Sequence, residues 1–446
     1  MKVDPSIFKA YDIRGVYPTQ LDEKIAYLVG RGFAVFLKPK KVIVGRDMRL
    51  SGPVLKKNLI AGLTDQGVDV IDVGMVSTDA YYFVCTKLGI PGIMVTASHN
   101  PKEFNGFKMV RKMPYLLSGD EGIQDIRKLV ENGKFPKVTK KGKVIKHDYT
   151  AQFIKKTLSF INPDEINPLT VIADTANGMV GPFLTQLYKN LPVKLKIIYG
   201  KPDGNLPNHG LDPLMPKNRA KIEKLVLSEK ADLGIMFDGD GDRFFVIDDR
   251  GKFVSGDFLT AILGKYLLEK NPASKIIYDI RASWAVPDLI AEGGGKSMFE
   301  RVGHAFIKRR MANENGLFGG EITGHYYFRD FNYSDSGLIP SLLVLEMLSR
   351  KKVKMSDLLK PLEEKYFISG EINSKVADPL AKIKQLTQKY KDGQQNMLDG
   401  ITVFYKDWHF NVRISNTESL LRLNLDAKSK SLMETKRDEI MALIRS

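Results

Sequence analysis

A chain of 446 residues with 43% hydrophobic and 27% charged residues has room for about three folded domains with ample core. Its single cysteine, Cys85, excludes an intrachain disulfide. The Met1–Pro5 segment has no apolar run after its lysine, so the expectation is a cytoplasmic setting without a secretory leader.

The net charge of +16 comes from lysines spread along the whole chain. Lys137–Lys146 and Lys351–Lys354 are short clusters without interleaved aromatics, so a solvated basic surface is expected and nucleic-acid binding is not. The apolar stretch Leu338–Leu348 is too short to span a bilayer and contains Pro340, so no membrane role is expected.

Taken in order, short β-branched runs alternate with longer helical patterns, which predicts α/β layers. Val42–Val44 reads as a strand ending at Gly45-Arg46-Asp47, and Ser51 opens a helix through Leu63. Val68–Val73 and Gly92–Val95 are strands, the latter running into Thr96-Ala97-Ser98, and a Lys/Gly-rich hinge is expected near Phe135–Lys146. A second round has strands at Thr170–Ala173, Lys194–Tyr199 and Asp232–Phe237, the last ending on Asp238. A third follows Gly251, with a strand at Lys275–Tyr278, a helix near Ser283–Ala291 and a loop at Phe318–His325. From Tyr366 the pattern becomes strand, helix, a hairpin around Trp408 and a final helix from Lys430. The fold class is therefore α/β: three related mixed-sheet units and a C-terminal α+β cap. Each round ends a strand in a polar loop, where open sheets hold ligands. No tandem sequence repeat accompanies these rounds.

Four loops carry candidate chemistry. In Thr96-Ala97-Ser98-His99-Asn100-Pro101, Ser98 lies in a turn after a buried strand, suited to a nucleophile or a carrier of a transferable group. A turn that merely satisfies backbone groups is the competing reading. The surroundings are not those of a Gly-x-Ser-x-Gly hydrolase elbow. In Asp238-Gly239-Asp240-Gly241-Asp242-Arg243, three alternating carboxylates would repel one another without a cation to share. An EF-hand is excluded, because Arg243 replaces its sixth-position glycine, Asp249 its twelfth-position glutamate, and both flanks read as strands. Open coordination at a strand end suits Mg²⁺. Gly319-Gly320-Glu321-Ile322-Thr323-Gly324-His325 offers the donors and acceptors that a polyol needs, or a cap. Arg413-Ile414-Ser415-Asn416-Thr417 offers a phosphate cradle, or a polar hairpin turn.

Together, in this order, the four motifs resemble the α-D-phosphohexomutase family, most of all its bacterial phosphomannomutase/phosphoglucomutase branch. The likeness runs from Phe8-Lys9-Ala10-Tyr11-Asp12-Ile13-Arg14-Gly15 to the Arg413–Thr417 loop. It implies four domains around a central cleft, placed at 1–148, 149–250, 251–365 and 366–446. By resemblance, Ser98 is the phosphoserine and a further metal ligand beside Asp238, Asp240 and Asp242, with one Mg²⁺. Arg243, Tyr11, Arg14 and Lys108 would lie near the transferring group, His304 at a position proposed for proton transfer, and Arg281 where the branch often has lysine. Glu321, Thr323 and His325 would read the sugar, while Arg413, Ser415, Asn416 and Thr417 would grip the phosphate that is not reacting.

The implied activity interconverts hexose 1- and 6-phosphates of mannose or glucose through a bisphosphorylated sugar, which also serves as activator. Phosphosugars are the expected partners of a monomer or weak dimer. A phosphoglucosamine mutase and a non-catalytic phosphosugar-binding protein are the alternatives. Ile322, where the glucosamine branch usually has glutamine, and the intact serine and aspartates argue against these two readings respectively.

Overall fold

The computed structural model describes residues 3–414 and 420–446, and the chain divides into two units. One is formed by residues 1–254 with 324–352, the other by 255–323 with 353–446.

The first unit holds two mixed sheets. In the larger, strands Ile13–Val16, Phe104–Lys112, Gly92–Val95, Lys41–Arg46, Asp69–Met75 and Val144–Lys146 lie side by side in that order. Lys41–Arg46 pairs in parallel with Gly92–Val95 and Asp69–Met75, and Phe104–Lys112 runs antiparallel to Gly92–Val95. The side-chain period of two explains why these strands read as continuous apolar runs. Val42, Val44, Ile93 and Val95 pack in one core with helices Glu23–Leu37, Gly52–Asp65 and Ile123–Asn132. Ile43 and Met94 face the opposite core, with Tyr81, Val84 and Cys85 of the helix Thr78–Leu88. Cys85 is buried there, and loss of solvent pushes its thiol well up from its usual range.

The segment expected as a hinge departs from that reading. Its end, Val144–Lys146, adds a parallel strand to Asp69–Met75 although all three side chains are exposed. Backbone pairing recruits it, starting with Val70 N donating to the Lys143 carbonyl at 2.7 Å, while the Asp69 carboxylate accepts from Lys143 N at 2.8 Å. An edge strand of this kind needs no apolar pattern, so its lysine-rich sequence conceals it.

The second sheet orders Phe244–Ile247, Leu233–Phe237, Leu169–Asp174 and Val193–Ile198. The apolar stretch near its end forms the helix Leu338–Lys351, buried from Leu338 to Ser349. Pro340 lies in its first turn, where a missing N–H leaves no hydrogen bond unmade. Among the described residues no helix is long and apolar enough to cross a membrane.

In the second unit, strands Lys296–Glu300, Lys275–Asp279 and Phe318–Gly320 run parallel in that order. The last was expected as loop. A Cβ on Gly320 would sit 2.3 Å from Thr260 Oγ1, so the glycine lets the helix Gly256–Lys270 lie directly on a strand that has no β-branched signal of its own. The remaining chain is an antiparallel sheet of Phe367–Ile368 and Ile372–Lys375, Leu420–Ala427, Trp408–Ile414, Ile401–Phe404 and Gln394–Asn396. Helices Pro379–Lys389 and Lys430–Arg445 contribute to its core, giving the expected α+β cap.

Candidate active site

The turn that bears Ser98 follows the strand Gly92–Val95, whose antiparallel neighbour places Lys108 opposite Met94. Ser98 is buried and has φ 49°, a left-handed conformation that costs a non-glycine residue about 1 kcal/mol or more. The surroundings hold it there. Ser98 N donates to Thr96 Oγ1 at 2.9 Å. The guanidinium of Arg49, which is 1% exposed, donates to the carbonyls of Ser98, Asn100, Pro101 and Phe104 at 2.7–2.8 Å. Asp47 in turn binds Arg49 N at 3.0 Å and accepts from Thr96 Oγ1 at 2.7 Å.

The aspartate loop connects the antiparallel strands Leu233–Phe237 and Phe244–Ile247, so residues 238–243 form a hairpin end with Phe237 opposite Phe244. Asp238 Oδ1 accepts from Gly241 N and Arg243 N, each at 3.2 Å, which curls the loop around its own first carboxylate. A Cβ on Gly239 would lie 2.6 Å from the Ser98 carbonyl and 2.7 Å from Leu211 Cδ1. Only glycine allows the two loops to approach this closely.

Ser98 Oγ donates to Asp238 Oδ2 at 2.6 Å and lies 3.2 Å from His99 Nδ1. Lys108 Nζ donates to Asp240 Oδ2 at 2.8 Å and Asp242 Oδ2 at 2.5 Å. Asp240 Oδ2 also accepts from Thr78 Oγ1 at 2.6 Å, and Thr78 N donates to the Asp240 carbonyl at 2.9 Å, so the start of the helix Thr78–Leu88 supports this aspartate. Arg14 reaches the Ser98 turn through Asn100 Oδ1 at 2.6 Å and pairs with Asp12. Tyr11 lies in the bend just before Arg14's strand.

Burial of three carboxylates beside one ammonium separates their protonation behaviour. Loss of solvent, then the Asp240 and Asp242 charges, raise the Asp238 carboxyl well above its ordinary value. Burial acts the same way on Asp240, but Lys108 and the Thr78 hydroxyl outweigh it and hold this carboxyl below its ordinary value. Lys108, desolvated yet facing Asp240 and Asp242, is pushed up and stays charged. Burial and the nearby Arg243 and Arg14 hold the His99 imidazole down, so it is neutral.

The three aspartates fit a hard cation. One carboxylate oxygen from each lies within 4.8 Å of the others, and Asp240 Oδ1 and Asp242 Oδ1 are buried without a hydrogen-bond partner. An all-oxygen set with two unused acceptors is what Mg²⁺ or a similar ion takes. Arg243 Nε stands 3.9 Å from Asp238 Oδ2 and donates to His325 Nε2 at 3.0 Å. His325, expected beside Glu321 and Thr323 as a sugar contact, thus directs this ring nitrogen to the arginine of the aspartate loop.

In the second unit, Arg281 is buried and held by carboxylates. Its Nε and Nη2 donate to Asp279 at 2.8 and 3.0 Å, and Nη1 to Glu371 at 3.0 Å. Desolvation works against its charge, but Asp279 and Glu371 prevail and raise its pKa. Glu321, buried, lies 3.8 Å from Arg281 Nη2, and Ile322 N donates to Asp279 at 2.9 Å, which ties the Glu321 loop to the same strand end. Thr323 is half-buried, and His304 opens the helix His304–Glu314. Glu371 also accepts from Arg422 at 2.9 Å and lies 3.8 Å from Arg413. Burial and the neighbouring Arg281 lower Arg413 to about 10. Ser415, Asn416 and Thr417 lie outside the described residues.

Sequence reasoning overlooked Arg49, Thr78, Asp279, Glu371 and Arg422. A signal existed for the first: Arg46-Asp47-Met48-Arg49 is a charged run at a strand's C-terminal end, where open sheets build sites.

The chain matches the phosphoglucomutase/phosphomannomutase family throughout. Alpha/beta/alpha domain I matches residues 5–137, domain II 147–251, domain III 255–366 and the C-terminal domain 371–443. A phosphomannomutase of Escherichia coli K12 is 41% identical over 448 residues, with 98% of each chain covered. One from Vibrio cholerae is 40% identical over 453 residues, again covering 98% of each. A solved structure of a phosphoglucomutase/phosphomannomutase family protein from Burkholderia thailandensis superposes with a TM-score of 0.91 at 32% identity, over 99% of this chain and 97% of that one. The phosphoglucomutase of Paramecium shares the fold at a TM-score of 0.79 and 16% identity, over 99% and 95% of the two chains.

The chain is an enzyme of the phosphotransferase-isomerase class. It belongs to the phosphoglucomutase/phosphomannomutase family.

Proposed function

We propose that the chain is a phosphohexomutase that interconverts the 1- and 6-phosphates of mannose, glucose or both, with Ser98 as phosphoryl carrier. The observation that carries this reading is the Ser98 hydroxyl, 2.6 Å from Asp238 in one buried cluster with Asp240, Asp242 and Lys108.

In the phosphorylated enzyme the Ser98 Oγ–P bond breaks as a free hydroxyl of the sugar monophosphate forms its own O–P bond. The hydroxyl proton passes to a base, a role assigned to His304, while the leaving Ser98 Oγ takes a proton from its hydrogen-bond partner Asp238. The resulting sugar bisphosphate turns over and returns its other phosphoryl group to Ser98. In that step Asp238 Oδ2 is the acceptor placed for the Oγ proton. Lys108, Arg14 and Arg243 balance charge on the moving group, since phosphoryl transfer is catalysed mainly by positioning and electrostatics. Asp238, Asp240 and Asp242 would hold Mg²⁺, which would supply further positive charge to the transfer. Glu321 and Thr323 take sugar hydroxyls, Arg281 contacts substrate, and Arg413 with Ser415, Asn416 and Thr417 holds the phosphate at rest.

A coupled assay with mannose 1-phosphate, glucose 1-phosphate and glucosamine 1-phosphate, primed with a hexose bisphosphate, tests this. Turnover of mannose or glucose phosphate is expected. No turnover of any of the three sinks the reading, and preference for glucosamine moves the substrate. Intact mass should show one phosphate on the wild type and none on Ser98→Ala.

A further inference from the structure

Arg413 and Arg422 stand directly opposite each other on the antiparallel strands Trp408–Ile414 and Leu420–Ala427. Opposed side chains share one face of a sheet, so the register sets two like charges together, an arrangement that destabilises unless an anion joins them. Arg413 is buried and Arg422 half-buried, and the side chain of Arg281 is fully enclosed. One carboxylate reaches all three. Glu371 accepts from Arg281 Nη1 at 3.0 Å through Oε2 and from Arg422 Nη1 at 2.9 Å through Oε1, and Arg413 Nη2 lies 3.8 Å from Oε2.

The three arginines are not equally satisfied. Arg281 has Asp279 on Nε and Nη2, whereas Arg413 Nε is buried without a hydrogen-bond partner among the described residues. Glu371 itself belongs to no strand. It follows the left-handed turn at Gly370 (φ 67°), between Phe367–Ile368 and Ile372–Lys375, which both pair with Leu420–Ala427. Its side chain keeps 20% exposure, so it can leave the arginines toward solvent without unpairing either strand.

We propose that Glu371 is a resident stand-in for phosphate. Before substrate binds, its carboxylate occupies the anion place made by Arg281, Arg413 and Arg422; an incoming phosphate monoester takes that place and Glu371 withdraws. Guanidinium forks accept carboxylate and phosphate oxygens in the same geometry, and the phosphate, with its greater charge and extra acceptor oxygens, displaces the carboxylate. Glu371 returns as the phosphate leaves, which keeps the arginines from gripping it too long. That benefit rests on the mutase reading above, in which a bisphosphate must release one phosphate to present the other; the exchange of anions does not.

Calorimetric titration with inorganic phosphate tests this without turnover. Glu371→Gln keeps the shape and removes the competing charge, so phosphate should bind about 10–100-fold more tightly than to the wild type, the strength of one charged hydrogen bond. Glu371→Ala opens room for a free carboxylate, and acetate should raise its melting temperature while leaving the wild type unmoved. In crystals grown with phosphate, the wild type should hold the ion at the arginines, with Glu371 moved out of hydrogen-bond distance of Arg281 and Arg422. In the primed mutase assay kcat and KM of Glu371→Gln should fall together, because a phosphate held more tightly is released more slowly. Equal or weaker phosphate binding or an unchanged KM in Glu371→Gln, no acetate effect on Glu371→Ala, or wild-type crystals without the exchange would overturn the proposal. The crystals decide even if both variants fold poorly. Tighter phosphate binding by Glu371→Gln in a protein that turns over no hexose phosphate upholds the stand-in and overturns the proposed function instead.

Discussion

Arg49 is tied to the main chain of Ser98, its Nη2 donating to the Ser98 carbonyl at 2.8 Å while its other bonds fasten Asn100, Pro101 and Phe104. One buried guanidinium thus sets the path of the whole carrier turn. Arg49→Met keeps the side-chain length but leaves Asp47 buried without its cation. It should cost about 3–5 kcal/mol of stability in urea unfolding. Turnover should fall about 100-fold even below the melting range, because the hydroxyl is misplaced. Unchanged kcat in a folded variant would show that the turn holds its shape unaided.

Gly239 is where the two loops touch. Gly239→Ala places a methyl 2.6 Å from the Ser98 carbonyl, so the carrier turn or the aspartate loop must shift. About 1–3 kcal/mol of destabilisation is expected from such overpacking, together with weaker metal binding in calorimetry. Wild-type metal affinity would count against the contact.

Lys108 binds two of the three carboxylates proposed to hold the cation. In wild-type protein, Lys108 neutralises part of the aspartate charge when the metal is removed. Lys108→Met should therefore make folding more dependent on metal. Chelation should lower the melting temperature more in the variant than in the wild type, where metal at 100 times its Kd contributes about 2.7 kcal/mol. Equal shifts in the two proteins would refute this division of labour.

Asp79 gives a pH signature. Burial pushes its carboxyl up to about 7, although the Ser336 and Ser77 hydroxyls act in the opposite direction. Because the folded pKa lies above the unfolded one, the folded protein keeps a proton that the unfolded chain has already released. The associated stability is fully present below about pH 4 and is lost as pH rises toward 7, by about 4 kcal/mol in all. Asp79→Asn cannot ionise, so its stability relative to wild type should rise across that window in urea titrations. A constant difference from pH 4 to 8 would rule the linkage out.

Ser98 and the three aspartates were legible in the sequence because each group is contiguous and sits at the end of an apolar strand. Arg49 was not: its partners are carbonyl oxygens 49 to 55 residues away, and any residue type supplies a carbonyl. Thr78 stayed hidden for a related reason, since its partner Asp240 lies 162 residues along the chain. The strands Val144–Lys146 and Phe318–Gly320 lacked a signal because one is an exposed edge and the other ends in glycines. Local pattern records what a residue does with its sequence neighbours, and these residues act on distant ones.

The lone cysteine has a practical consequence. Cys85 is sealed beneath the first sheet with its thiol held in the protonated form, so the native protein should be nearly silent toward thiol reagents. A cysteine introduced at any exposed position would then take a fluorophore or spin label alone. Distances between labels could be followed during turnover without first deleting a native residue from the core.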